Sequence, residues 1–160
     1  MKFNSLYPFC MAAALALTTS CDNNGGDSSD EKIIEKPAFT APEDGAFSID
    51  ALESLGTVSE PQVSPDGKTL LFALSYESVE ENRGNKELYT LDLTNAEAKP
   101  VRLTTTAASE GNARWFDGGN KIAFTYPVKN SDGEKVVQVW VMNADGSGRK
   151  AVSNFEKNVE

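Results

Sequence analysis

The chain has 160 residues, and its 24 acidic against 15 basic side chains give a formal net charge of −9. That balance argues against nucleic-acid binding, because a phosphate backbone requires clustered Lys and Arg. The sequence contains no histidine, so neither a Ser/His/Asp relay nor a histidine metal site can be built from its residues. It also lacks a Gly-x-Ser-x-Gly elbow and a phosphate-binding glycine loop, and we expect no catalytic residue, metal or cofactor in this chain.

The first predicted element is a secretory signal peptide at residues 1–20. Lys2 supplies a positive start, residues 6–17 are too short an apolar core for the about 20 residues of a membrane span, and small residues precede Cys21. This pattern resembles a bacterial lipoprotein processing site. The resemblance implies that Cys21 is acylated and anchors an exported chain in the cell envelope, on its periplasmic or outer-membrane face. The alternative is ordinary cleavage that leaves a free cysteine.

The two cysteines exclude a disulfide framework. Cys10 lies inside the signal peptide and Cys21 is the predicted lipid site, so the folded part has no thiol. The exported domain must therefore depend on packing alone.

A tether and a short helix are predicted next. Residues 21–45 are mostly polar and charged, which favours a flexible linker. Within residues 46–57, Ser48 can cap a short helix and Gly56 is a natural stop. The apolar positions that share one face of this helix are Ile49, Leu52 and Leu55.

A repeat dominates the remainder of the sequence. Residues 63–72 and 115–124 carry the same pattern at an offset of 52 (115 − 63), and residues 88–92 and 139–143 match at an offset of 51 (139 − 88). Self-similarity near about 50 residues, with several short strands per unit, indicates a radial or stacked repeat. We therefore predict an all-β fold, with two antiparallel four-stranded blades of an incomplete β-propeller.

The first blade is predicted at residues 58–106. In its first hairpin, Pro65 presets the backbone φ, Asp66 tolerates the next turn position, and Gly67 can adopt a positive φ without a Cβ clash. Its predicted strands are 58–63, 69–76, 86–93 and 100–104.

The second blade is predicted at residues 107–155 and repeats this scheme. Gly118 and Gly119 occupy its first turn, and Asp145 and Gly146 lie in its last hairpin, which is a strong turn signal. Its predicted strands are 111–116, 121–127, 136–143 and 149–153.

We expect structural roles for the large aromatic residues and for the carboxylates of the loops. The loop at 77–85 is expected to project from the rim with Glu80 and Glu81 in solvent, and the alternative is that these carboxylates bind a peptide amine. The aromatic residues expected to pack between neighbouring blades are Phe72, Tyr89, Trp115, Phe124 and Trp140.

The order of these segments resembles the beginning of the propeller in the prolyl oligopeptidase family of serine peptidases, with dipeptidyl-peptidase-like and acylaminoacyl-peptidase-like members closest. In that family the propeller caps a C-terminal α/β-hydrolase domain whose serine triad cleaves short peptides. None of the triad positions exists in this chain. The segments that carry the resemblance are 52–55, 58–67, 81–89, 102–104 and the second blade.

Two functions follow from the resemblances. The leading prediction is the substrate-gating propeller of an exported peptidase, with peptides as partners of the full-length parent. The hairpin at 140–148 equally resembles TolB-like propellers, and the alternative is a non-catalytic envelope propeller that binds a protein.

Because propellers close with about four to eight blades, we expect residues 156–160 to begin a linker to a third blade. An N-terminal fragment is favoured over two blades that pair across chains.

Overall fold

The computed structural model describes residues 32–39, 45 and 48–158. The predicted signal peptide at 1–20, the predicted lipid site Cys21 and most of the predicted tether at 21–45 lie outside the described residues.

One short helix precedes eight strands in the described part of the chain. The helix α1 spans Ile49–Glu53. The strands are β1 (Thr57–Val63), β2 (Thr69–Ser78), β3 (Arg83–Asp92), β4 (Val101–Arg102), β5 (Gly111–Phe116), β6 (Lys121–Lys129), β7 (Lys135–Asn143) and β8 (Lys150–Ala151). A single 3₁₀ turn at Asp117–Gly119 joins β5 to β6.

The strands form two separate antiparallel sheets in simple meander order. The first sheet has the order β1-β2-β3-β4, and the second has β5-β6-β7-β8. We call them blade 1 and blade 2. Each strand pairs with its neighbour in sequence, as expected where short hairpins connect antiparallel strands. The all-β prediction with two four-stranded sheets is confirmed.

The second and third strands are longer than predicted, and the fourth strands are shorter. Ser78 pairs with Arg83 at the end of the β2–β3 hairpin, so the connecting loop contains only residues 79–82 instead of 77–85. The fourth strands have two residues each. Side-chain hydroxyls extend the pairing beyond them, because the Leu88 N–H donates to Thr104 Oγ1 at 2.9 Å and the Val139 N–H donates to Ser153 Oγ at 2.8 Å.

A β-bulge recurs in the first strand of each blade and was not predicted. The register shifts between Ser59 and Gln62 in β1, and between Gly111 and Arg114 in β5. Glu60 and Asn112, 52 positions apart (112 − 60), adopt φ values of 54° and 53°. The sequence repeat therefore extends to a local backbone irregularity that increases strand twist.

The helix begins at its predicted cap but exposes its predicted apolar face. The Ala51 N–H donates to Ser48 Oγ at 3.1 Å, which satisfies one of the free amides of the first turn. Ala51 and Ser54 are buried against the fold. The side chains of Ile49, Leu52 and Leu55 are exposed instead.

The core lies between the two sheets. Because strand side chains alternate between faces, one face of each blade supplies the cluster, and we call the other face of blade 1 its outer face. Phe72 and Tyr89 lie on that outer face, with ring centroids 5.8 Å apart. The buried cluster comprises Leu71, Ala73 and Leu88 from blade 1 with Ala113, Ile122, Phe124, Tyr126, Trp140 and Met142 from blade 2.

Residues 32–36, which we call the strap, pack on the outer face of blade 1. Ile34 is only 8% exposed. It lines a cleft of about 340 Å³ together with Leu74, Tyr76 and Tyr89. This end of the predicted tether is therefore in contact with the folded domain.

Replacing Gly67 tests the first turn. Its φ is +75°, and no atom lies within 4 Å of a Cβ placed there. We expect Gly67→Val to lower the free energy of unfolding by about 1 to 2 kcal/mol, because a β-branched residue is strained at positive φ. Gly67→Asn is the matched control and should cost less, since Asn tolerates this region. Equal urea midpoints for both variants would contradict the turn geometry.

Candidate functional site

Two of the predicted turn glycines, Gly119 and Gly146, lie close to neighbouring segments of the protein. Gly118 and Gly119 have φ values of 67° and 93°. A Cβ atom at Gly119 would lie 3.1 Å from Cδ of Pro65, which belongs to the first turn of blade 1. A Cβ atom at Gly146 would lie 2.9 Å from the carbonyl oxygen of Leu103. These glycines therefore allow close approach between segments of the two blades.

The predicted turn carboxylates accept hydrogen bonds within their own turns. The hydroxyl of Ser64 donates to Asp66 at 2.6 Å, and the Lys68 N–H donates at 3.1 Å. Asp145 accepts from the hydroxyl and the N–H of Ser147 at 2.6 and 2.9 Å. The hydroxyl bonds are the main reason that the pKa values of Asp66 and Asp145 lie below the usual range. Both groups thus act as turn-stabilising acceptors.

The most unusual polar site of the described residues is Glu110, at the junction between the blades. Its side chain is 0% exposed. The hydroxyls of Thr106 and Thr104 donate to its two oxygens at 2.8 and 3.2 Å. Arg149 Nη1 lies 3.2 Å from Glu110 Oε1. The segment that leads into blade 2 therefore carries a buried carboxylate, which pairs with the partly exposed Arg149 and accepts hydrogen bonds from two hydroxyls.

Aromatic rings surround the cation of this pair. The Arg149 guanidinium carbon lies 4.3 Å from the ring centroid of Tyr126, 4.9 Å from that of Trp140 and 5.3 Å from that of Phe124. Such contacts with ring faces favour a cation electrostatically. The aromatic cluster of blade 2 consequently positions Arg149 as well as filling the core.

Burial governs the titration of Glu110. Removal from water disfavours the charged form and raises the pKa of this carboxyl to about 7, despite the opposing effects of Thr106, Arg149 and Thr104. The proximity of Glu87 raises the pKa slightly further. Glu110 therefore changes its protonation near neutral pH.

A second buried carboxylate, Glu87, lies on the outer face of blade 1. It accepts from the Thr106 N–H at 3.2 Å, from Asn85 Nδ2 at 3.2 Å and from Arg102 Nε. The hydrogen bond from Arg102 raises the pKa of that guanidinium. In blade 2 the matching residue is Gln138, 51 positions later (138 − 87), whose Oε1 accepts from the Phe155 N–H at 2.8 Å. The same strand position thus binds the exit segment in each blade.

These polar groups form a structural junction. Within residues 32–39, 45 and 48–158, no group of three or more Cys, Asp or Glu residues could hold a metal ion. In the same described part, no helix is long and apolar enough to cross a membrane. The buried carboxylates are engaged by hydroxyls, amides and guanidinium groups, and Glu110 joins the threonines at the end of blade 1 to Arg149 of blade 2.

Sequence reasoning did not identify Glu110, Glu87 or their arginine partners. The only local signal was the polar segment 104–110, which contains three consecutive threonines before Glu110. A polar segment usually predicts solvent exposure. Its burial depends on the contact between blades, which pattern analysis along the chain does not report.

Comparison with known proteins relates part of the chain to a peptidase. No protein-family model matches the chain. A segment of 71 residues, 44% of the chain, is 39% identical to dipeptidyl-peptidase 5 of Porphyromonas gingivalis. The matched segment spans 10% of the length of that relative.

The pKa of Glu110 predicts a pH dependence of stability. Because the folded state raises this pKa from 4.5 to about 7, the folded state binds the proton more tightly than the unfolded chain does. The associated stability is fully present below about pH 4.5 and is lost as pH rises through 7.

Glu110→Gln should remove this dependence. We expect the unfolding free energy of the parent to fall by about 2 to 3 kcal/mol between pH 5 and 8 relative to that of the variant. Urea titrations at both pH values measure this difference. Glu97→Gln, which changes an exposed carboxylate in the β3–β4 loop, is the control and should follow the parent. A parent and a Glu110→Gln variant with parallel pH profiles would contradict the assignment.

Proposed function

We propose that this chain is the N-terminal propeller part of an exported serine peptidase and that it gates access of peptides to a hydrolase domain. The observation that carries the proposal is the 39% identity over 71 residues to a dipeptidyl-peptidase. The two consecutive four-stranded sheets agree with it, because propeller blades have this meander form.

The proposed role is to admit and orient substrate, with the chemistry performed elsewhere in the parent. The sequence has no histidine, so a Ser/His/Asp relay would require residues from a separate hydrolase domain. Glu110 at the junction and Glu87 on the outer face of blade 1, the buried carboxylates, each pair with an arginine of the chain. They support the geometry of a cap that short peptides would pass.

Attachment to the envelope is the second component of the proposal. Cys21 would carry lipid and hold the propeller at a bacterial membrane surface, because two or more acyl chains anchor a protein stably where one chain does not. The acidic charge of −9 is compatible with an exported surface and does not favour nucleic acid as a partner. Peptides are the proposed partners of the parent.

A protein-binding propeller of the TolB-like type is the alternative. The hairpin at residues 140–148, with its tight turn around Asp145 and Gly146, is the feature that favours it. The coding sequence past the codon for Glu160 discriminates between the two functions. A Gly-x-Ser-x-Gly elbow followed by Asp and His supports the peptidase, whereas further blades and a stop codon support the binding protein.

Mass spectrometry of the mature N-terminal peptide tests the anchor. We expect cleavage before Cys21 and a mass increase that corresponds to acylation of its thiol. Cys21→Ser should release the protein from the membrane fraction, whereas Cys10→Ser, in the signal peptide, should not. An unmodified Cys21 in membrane-bound protein would refute the lipid anchor.

Phe124→Ala tests the gating role in the product of the complete reading frame. The cavity should cost about 3 to 5 kcal/mol and loosen the contact between the blades. We expect kcat/KM for a ten-residue peptide to rise about tenfold relative to that for a dipeptidyl p-nitroanilide, because a loosened cap excludes long substrates less well.

Val79→Ala is the matched control, since Val79 is exposed in the β2–β3 loop. It should leave the ratio of the two kcat/KM values unchanged. The same ratio for both variants would contradict gating by these blades. Failure of the parent to hydrolyse either substrate would contradict the peptidase assignment itself.

A further inference from the structure

The face of blade 2 that is turned away from blade 1 has partly exposed aliphatic side chains. We call it the outer face of blade 2, and its strand residues are Ala123, Thr125, Val137, Val139 and Val141. Val137 is 44% exposed, and no segment of the described chain buries the other four. A cleft of about 430 Å³ on this face lies beside Phe155 and Asn158. The outer face of blade 2 therefore has apolar surface and space for a partner.

The sequence repeat identifies the equivalent face of blade 1, which is covered. Leu71 lies 52 positions before Ala123 (123 − 71), and Leu88 lies 51 positions before Val139 (139 − 88). Both leucines are completely buried, in the cluster that blade 2 forms against blade 1. What covers this face of blade 1 consequently indicates which kind of partner fits the outer face of blade 2.

Blade 2 covers blade 1 with two aromatic residues from neighbouring strands. Phe124 in β6 pairs across strands with Trp140 in β7, and both lie in the buried cluster with the leucines of blade 1. Phe72 and Tyr89 repeat this cross-strand pair in blade 1. Each sheet thus carries an aromatic pair on one face and aliphatic side chains on the other, and the aromatic face of one sheet packs on the aliphatic face of the sheet before it.

The exit segment of blade 2, residues 153–158, follows the course of residues 104–109, which lead from blade 1 into blade 2. The Lys86 N–H donates to Ser109 Oγ at 3.0 Å, and the Val137 N–H donates to Asn158 Oδ1 at 2.9 Å. The two acceptors lie 49 positions apart (158 − 109). The exit segment therefore borders the outer face of blade 2 as the earlier segment borders the equivalent face of blade 1.

The exit segment of blade 2 is less polar than its counterpart. At the junction between the blades, the hydroxyl of Thr106 donates to the buried carboxylate of Glu110 at 2.8 Å. At the offset of 49, the sequence has Phe155 in place of Thr106 (155 − 106) and Val159 in place of Glu110 (159 − 110). A polar group buried here without a hydrogen bond would cost free energy, so this border favours an apolar partner.

We infer that the outer face of blade 2 is the docking surface for a further blade of the same repeat, which presents an uncharged aromatic pair towards Ala123 and Val139. This inference rests on the part of the proposed function that makes the chain a portion of a larger propeller. It adds the face that is used and the chemistry of the partner. Aromatic rings meet aliphatic side chains there without a buried carboxylate, and removal of both surfaces from water stabilises the contact.

Photocrosslinking in the product of the complete reading frame tests the docking surface. A benzoylphenylalanine replaces Val139 in one variant and Val101, which is 60% exposed in β4, in the matched control. We expect the crosslinks from position 139 to join an aromatic pair of another four-stranded sheet in the same chain. Their yield should exceed that of the control at least about tenfold, because the photoreactive group captures only groups in contact with it. Equal yields, or crosslinks to a hydrolase domain, a second copy or another protein, would overturn the inference.

A charge on the outer face of blade 2 provides a second measurement. Val139→Asp should shorten the lifetime of the complete product in trypsin relative to Val101→Asp, because an unpaired charge is costly where a partner sheet excludes water. This ratio of lifetimes should be at least about tenfold larger in the complete product than in the chain that ends at Glu160. Equal ratios would overturn the docking surface. Neither measurement requires peptide hydrolysis, so loss of activity with intact crosslinks would contradict the peptidase assignment alone.

Discussion

The contact between the core faces of the two sheets is the interaction on which the remaining structure depends. Leu71 and Leu88 from blade 1 meet Ile122, Phe124 and Met142 from blade 2, and all five are buried. A side chain of this kind contributes about 1.5 to 3 kcal/mol when it is removed from water. The chain has no cysteine after residue 21, so no intrachain disulfide can compensate for a weakened core. Packing alone holds the blades together.

This core also makes the buried polar groups possible. The rings of Tyr126 and Trp140 fill the space between the blades and lie beside the guanidinium of Arg149. The positioned cation then pairs with Glu110, whose pKa burial raises to about 7. The Glu110 carboxyl group, which water would solvate if the segment between the blades were isolated, thereby becomes part of the blade junction. The orientation of the blades and the protonation of this carboxyl are linked through the same contacts.

The two blades are built from the same structural parts. Turns, bulges and exit segments recur from one blade to the next, and the polar side chains at these positions bind other parts of the same chain. Such a repeated framework suits the proposed role, in which a propeller admits peptides to a separate hydrolase domain. On the outer face of blade 1 the strap adds a further contact within the chain, because Ile34 is buried there beside Leu74 and Tyr89.

The sequence alone determined the features that depend on local backbone chemistry. The turn at Pro65, Asp66 and Gly67 was predictable because its φ values depend on its own residues, and the repeat offset of 52 (115 − 63) predicted two similar sheets. Only the tertiary structure decided the burial of Ile34 and Glu110. Glu110 meets Arg149 across 39 positions (149 − 110), and polar neighbours along the chain indicate exposure. Water is excluded from both residues only when segments distant in sequence pack over them.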